Sequence, residues 1–148
     1  MMVDVNSYPV ELTPDDNGTL LVTVPDLPGA ITFGEDRERA LDHAVDAIES
    51  IISAMITDRR EIPPPSPANG RPTVSLTLLG ALKVAVYVAL RERGWRKADL
   101  ARAMNLNPRQ IDRLLNLRHK STVAQLEQAL AVLGKRAEIG LRELPVAA

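Results

Sequence analysis

No cysteine occurs in the 148 residues, which excludes disulfides, thiolate metal sites and cysteine nucleophiles. Aromatic side chains are scarce: Tyr8, Phe33, Tyr87 and Trp95 are the full set, so any core has to be aliphatic. The amino end has no basic run leading into an apolar stretch, and no secretory signal is read there. Leu76 to Leu90, the longest apolar helical run, is interrupted by Thr77, Gly80 and Lys83 and is too short and polar to span a bilayer. A Gly-rich phosphate loop is missing as well. We therefore expect a cytoplasmic protein with no membrane partner. The hydrophobic content of 45% is that of a globular chain.

Net charge is nearly absent, at −1, but only in sum. Residues 1–70 carry thirteen acidic and four basic side chains, a net of −9, and residues 71–148 carry six acidic and fourteen basic ones, a net of +8. Solvated faces vary in charge by chance, yet this split falls at Pro63-Pro64-Pro65-Ser66-Pro67, which reads as a linker. An acidic half suits a basic partner and a basic half suits a polyanion. Two units are expected, residues 1–76 and 77–148.

In the acidic half, Ser7 to Leu12 alternates apolar and polar side chains and reads as a strand, with Pro9 marking an edge or an irregular start. Asp15-Asp16-Asn17-Gly18 is a hairpin turn, and Thr19 to Val24 is the returning strand. After the loop Pro25 to Gly29, Ala30 to Gly34 completes a three-stranded meander. A helix then begins at Glu35 or Asp36, where negative charge suits the helix dipole. Its apolar stripe is Ala40, Leu41, Ala44, Val45, Ile48, Ile51, Ile52 and Met55. Thr73 to Leu76 alternates again and is expected to rejoin the sheet. The carboxylates Asp15, Asp16, Asp26, Glu35, Asp36, Asp42 and Asp46 fall in turns or on the outer face of this helix. His43 is the half's single histidine, with no second ligand type at metal-binding spacing. No catalytic site, metal or cofactor is expected.

In the basic half, Leu78 to Arg93 reads as a long apolar helix stopped by Gly94. Lys97 to Leu115 then carries a helix-turn-helix pattern. Ala101 is small enough for two helices to cross closely, and Asn105 tolerates the left-handed conformation of the turn. Leu106 buries the turn, Asn107 caps the next helix, and Pro108 fills its first position. Ile111, Leu114 and Leu115 face inward, leaving Arg109, Gln110, Asp112 and Arg113 outward to read base edges in the major groove. Lys97, Arg102, Asn116, Arg118, His119 and Lys120 flank this face and could hold phosphates. An ordinary helical hairpin is the plain alternative; agreement among the small residue, turn, cap and buried positions favours DNA. Val123 to Leu133, capped by Ser121 or Thr122 and stopped by Gly134, is a further helix. Ala137 to Leu141 alternates like a short strand that needs a partner, either its copy in a second chain or an edge within its own; because helix-turn-helix proteins commonly bind two half-sites as dimers, a homodimer or higher homo-oligomer is expected.

Tyr8-Pro9-Val10-Glu11-Leu12, Asp15…Gly18, Val24-Pro25-Asp26-Leu27-Pro28-Gly29, Thr32-Phe33-Gly34-Glu35 and the helix Arg39-Ala40-Leu41…Ala44…Ala47-Ile48 together resemble the N-terminal domain of HicB antitoxins. Gln110-Ile111-Asp112-Arg113-Leu114-Leu115-Asn116-Leu117-Arg118-His119, then Leu130…Leu133-Gly134-Lys135-Arg136, resembles a Cro/C1-type helix-turn-helix domain found in longer members. The resemblance covers nearly the whole chain. It implies an α+β fold, with a partial RNase H-like sheet-and-helix domain followed by an all-α helix-turn-helix domain and a short C-terminal strand. It also implies an antitoxin, not an enzyme, that neutralises a small basic HicA-like mRNA-cleaving toxin and represses its own operon by binding operator double-stranded DNA. Members with a ribbon-helix-helix tail form a different subtype. Candidates for the toxin contact are Asp15, Asp16, Asp26, Leu27, Pro28 and Phe33, because loops and turns on a rigid sheet carry contacts; turn chemistry and core packing would explain the same residues. Two other readings stay open: a transcription regulator whose acidic domain senses a small ligand, and a metal-dependent nuclease of RNase H type.

Overall fold

A computed structural model describes residues 7–144. The chain makes two small antiparallel sheets and five helices among these residues. Strand β1 (Ser7–Pro9) pairs with β5 (Thr73–Ser75), placing Tyr8 opposite Val74. Strands β2 (Glu11–Pro14), β3 (Leu20–Thr23) and β4 (Ile31–Gly34) form the expected meander, in that spatial order.

Two strand expectations are corrected. Ser7 to Leu12 is not one strand: it breaks at Val10, and its two parts join different sheets. Val10 is fully buried, and its N–H goes to the carbonyl of Pro72, so the chain changes partner at that residue. Consequently the strand at 73–75 pairs with β1 and does not extend the meander.

Helix α1 (Arg37–Thr57) covers β4 and β3. Asp36 is its N-cap, with a carboxylate oxygen accepting from the Arg39 N–H at 2.8 Å. Ala40, Ala44, Ile48, Ile52 and Met55 are buried, while Leu41, Val45 and Ile51 flank them half-buried.

The proline-rich stretch is pinned rather than free. The Tyr8 hydroxyl donates to the Pro63 carbonyl at 2.6 Å, and an Asp26 carboxylate oxygen accepts from both the N–H and the hydroxyl of Ser66 at 2.9 Å. Burial, helped by the Asp26 charge, pushes the Tyr8 phenol up to about 12, so it stays a donor.

Beyond this strap come α2 (Leu78–Glu92), α3 (Lys97–Met104), α4 (Pro108–Leu115) and α5 (Val123–Val132). Thr77 caps α2 and Thr122 caps α5, with Gly94 and Gly134 at positive φ past the two C-termini. α2 packs on α4 and α5, and α3 packs on the same two helices. One continuous apolar cluster runs from Tyr8 to Leu133.

The expected strand at Ala137 to Leu141 is absent. The segment is irregular, with Ile139 74% and Leu141 95% exposed. A single chain gives it no strand to pair with, and an isolated strand leaves its backbone groups to water.

A candidate nucleic-acid interface and an apolar sheet face

The geometry between α3 and α4 follows from three residues. Asn105 ends α3 in the left-handed region at φ 56°, ψ 46°, where asparagine is tolerated. Asn107 caps α4: its side-chain oxygen accepts the Gln110 N–H, and the Gln110 side-chain oxygen accepts the Asn107 N–H, both at 2.9 Å. Pro108 occupies the first turn of α4. Ala101 is buried at the crossing, Leu106 is half-buried beneath the turn, and Ile111, Leu114 and Leu115 are buried.

Arg109, Gln110, Asp112 and Arg113 are all exposed on the opposite face of α4. They are not equally available. Reading adenine bidentately needs both the oxygen and the amide of glutamine, and the Gln110 oxygen is engaged in the capping box. Asp112 pairs with Lys97 of α3 at 3.1 Å. Arg109 and Arg113 form no ion pair among the described residues.

The flanking phosphate candidates divide in the same way. Arg102 pairs with Asp99 in its own helix. Asn116 caps the N–H of Arg118, and His119 lies 3.4 Å from the Ser121 hydroxyl. Arg118 reaches Asp46 and Glu49 of α1, at 3.2 and 3.7 Å. Lys120 is exposed and makes no ion pair among the described residues.

Sequence reasoning missed Lys83. It had the look of a polar break in α2, but its side chain is fully buried, donating to the Arg113 carbonyl at 2.9 Å and to the Ser121 hydroxyl at 2.7 Å. It thus ties the C-terminal turn of α4 to the loop that leads into α5. The available signal was spacing: Gly80, Lys83, Val84 and Tyr87 share one buried face of α2.

Burial pushes the Lys83 ammonium down from 10.5 to about 8. Below about pH 8 both folded and unfolded chains hold the proton, and the folded state bears the full cost of burying it. Between about 8 and 10.5 the unfolded chain binds more proton, so stability rises with pH until the cost is gone. We expect wild type to gain on the order of 3 kcal/mol relative to Lys83→Met across that window. Urea unfolding at several pH values tests this, and a flat difference would refute it.

The candidates on the acidic half also separate. Asp15 and Asp16 are exposed in the β2–β3 turn, and Pro28 is exposed in its loop. Leu27 is not available: it is fully buried, because its loop folds back through hydrogen bonds from Leu27 N–H to Val24 and from Ala30 N–H to Leu27. Asp26 is half-buried and holds Ser66.

Phe33 is 50% exposed and has unanticipated company. The register places Phe33 beside Leu21 and Ile31 beside Thr23, on the sheet face away from α1. Ile31 is 57% exposed, so the outer face carries an apolar patch rimmed by Glu11 and Thr13. The alternation of Ile31 and Phe33 in a half-covered strand was the signal for it. His43 donates from Nδ1 to the Phe33 carbonyl at 2.6 Å, a structural role that ties α1 to β4. Among the described residues, no three His, Asp or Glu side chains gather closely enough to hold a metal ion. No helix there is long and apolar enough to cross a membrane.

Residues 7–85 match the family model described as the HicB-like antitoxin of bacterial toxin–antitoxin systems. Similar proteins include antitoxin HicB 2 of Photorhabdus laumondii, 36% identical over 132 residues, covering 89% of this chain and 94% of that protein. Antitoxin HicB of Pseudomonas fluorescens is 35% identical over 82% of this chain and 85% of its own length. Antitoxin HicB of Escherichia coli K12 is 33% identical over 86% of this chain and 94% of its own. With both the first half and nearly the full length matched, the chain belongs to the HicB-like antitoxins of bacterial toxin–antitoxin systems, a family of neutralising or regulatory proteins rather than enzymes.

Proposed function

We propose that the chain neutralises a basic, HicA-like mRNA-cleaving toxin through residues 1–76 and represses its own operon through residues 77–148, which bind operator DNA as a Cro/C1-type helix-turn-helix. The observation that carries the DNA reading is the α3–α4 turn, with Asn105, Asn107 and Pro108 in place and Arg109 and Arg113 unengaged on the outer face. The +8 of residues 71–148 supports it, since a basic surface draws DNA with an affinity that falls steeply with salt. The −9 of residues 1–70 speeds encounter with a cationic toxin and competes with RNA for the toxin's basic surface. Among the described residues no three carboxylates gather to hold a metal ion, which suits neutralisation by a partial RNase H-like layer better than cleavage. Ile139, Leu141 and Leu144 stand exposed in the tail, and pairing with the same segment of a second chain would cover them in a dimer.

The testing experiment is co-expression with the adjacent small reading frame, read by growth and co-purification. Rescue of growth with a stable complex supports the antitoxin mechanism. No toxicity and no complex would point to a ligand-sensing regulator, whose site would be the open cleft of about 430 Å³ between α1 and α4, lined by Ser53, Thr57, Lys97, Asp112 and Asn116.

We place the toxin contact on the outer sheet face and the neighbouring β2–β3 turn. Phe33→Asp is expected to weaken toxin binding about tenfold or more, because exposed aromatics at interface centres carry much of the energy. Its melting temperature should stay near that of wild type, the side chain being half exposed on an edge strand and no member of the buried cluster. Unchanged binding by titration calorimetry would move the contact off this face.

A further inference from the structure

Arg118 sits in the loop that follows α4, among the residues proposed to meet DNA phosphates, yet its guanidinium is held by the acidic half. It lies 3.2 Å from Asp46, whose side chain is 68% exposed, and 3.7 Å from Glu49, whose side chain is 4% exposed. The buried carboxylate is fixed in place: one Glu49 oxygen accepts the N–H of Thr77 at 3.0 Å and its hydroxyl at 2.7 Å. That arrangement leaves the other oxygen facing Arg118.

The backbone beside Arg118 is fixed too, with the Leu117 N–H donating to the Ser53 hydroxyl at 3.1 Å. The loop backbone is therefore tied to α1, and a change of side-chain rotamer is enough to move the guanidinium. Its side chain is 47% exposed, so solvent already reaches it. The pair with Asp46 is a surface contact and weak, small enough for a phosphate to compete with it.

We propose that Arg118 exchanges between the Asp46–Glu49 pair of α1 and a DNA phosphate, so that these carboxylates act as an internal phosphate mimic and restrain operator affinity. The inference rests on the DNA-binding reading above. It makes α1 the element through which the charge of the acidic half sets binding by the basic half.

A double-mutant cycle on the full-length chain tests it, using a duplex from upstream of its own reading frame and a scrambled duplex as control. Asp46→Asn should tighten binding about three- to fivefold, the release of one surface pair. It should also steepen the salt dependence, by up to about 0.9 in slope for one added phosphate contact. In an Arg118→Gln background the same Asp46→Asn change should alter neither quantity. An equal gain in both backgrounds would mean that Asp46 simply repels DNA and would overturn the proposal, as would no gain in either. Wild type that binds neither duplex would overturn the DNA-binding reading and this inference together. Asp46 is exposed, so melting temperatures of the variants should match, and matched values show that the cycle reports binding.

Discussion

Arg109→Ala combined with Arg113→Ala is expected to lower affinity for operator DNA by about a hundredfold or more. Each guanidinium paired bidentately with a guanine is worth about 1–3 kcal/mol of discrimination, and two such pairs on one helix combine. Of the four proposed base-reading residues, these two have no side-chain partner among the described residues. Gln110 is committed to the cap and Asp112 to Lys97, so neither presents its full donor and acceptor set. Neither arginine contributes its side chain to the buried cluster, so folding should be unaffected. Fluorescence anisotropy at fixed salt, with specific and scrambled duplexes, is the measurement. Specific binding should fall far more than non-specific binding, since the latter depends on the summed charge. Toxin co-purification should persist in the double variant. Its loss would contradict the assignment of the two tasks to different parts of the chain, and an unchanged specificity ratio would remove α4 as the reading helix.

Much of the second half was legible because its signals are local. Asn107 and Pro108 announce a helix start, Asn105 announces a left-handed turn, and Gly94 and Gly134 announce helix ends, each through chemistry within a few residues. The sheets were read less well, because pairing is a long-range choice. Nothing within Ser7 to Leu12 reports that Val10 will meet the carbonyl of Pro72, and that contact splits the strand between two sheets. The strand at Ala137 to Leu141 failed for a related reason: alternation shows that a segment could pair, not that a partner is present.

The surroundings of individual side chains were harder to read where their partners are distant in sequence. Arg118 looked like a free cation in its own segment, yet its partner Asp46 is 72 positions away. Lys83 looked like a flaw in an apolar helix because its acceptors lie on α4 and in the loop that follows it. Leu27 drew attention as a loop residue, whereas the loop exists to carry it inward.

Gly34→Ala is expected to cost at least about 3 kcal/mol and to lower the melting temperature by about 10 °C, overpacking against backbone being the severe form of a small-to-large change. Gly34 ends β4 where α1 crosses closest. A Cβ there would overlap the backbone N and Cα of Ala40 and lie 2.8 Å from its side chain. Ala40 cannot yield, because its N–H is bonded to the Asp36 carbonyl in the first turn of α1 and its side chain is fully buried. Relief requires α1 to lift from β4, which breaks the contact that buries Ala44 and Ile48 beneath the sheet. Gly18→Ala is the informative contrast. That glycine has φ +82° but no atom within 4 Å of a built Cβ, so only the conformational cost of about 1–2 kcal/mol applies. Because α1 and β4 also set the outer sheet face, Gly34→Ala should weaken toxin binding as it destabilises the fold, whereas Phe33→Asp should weaken binding alone. Thermal unfolding of the three variants beside toxin affinity separates the two effects. A Gly34→Ala protein that melts with wild type would show that α1 does not rest on β4 as described.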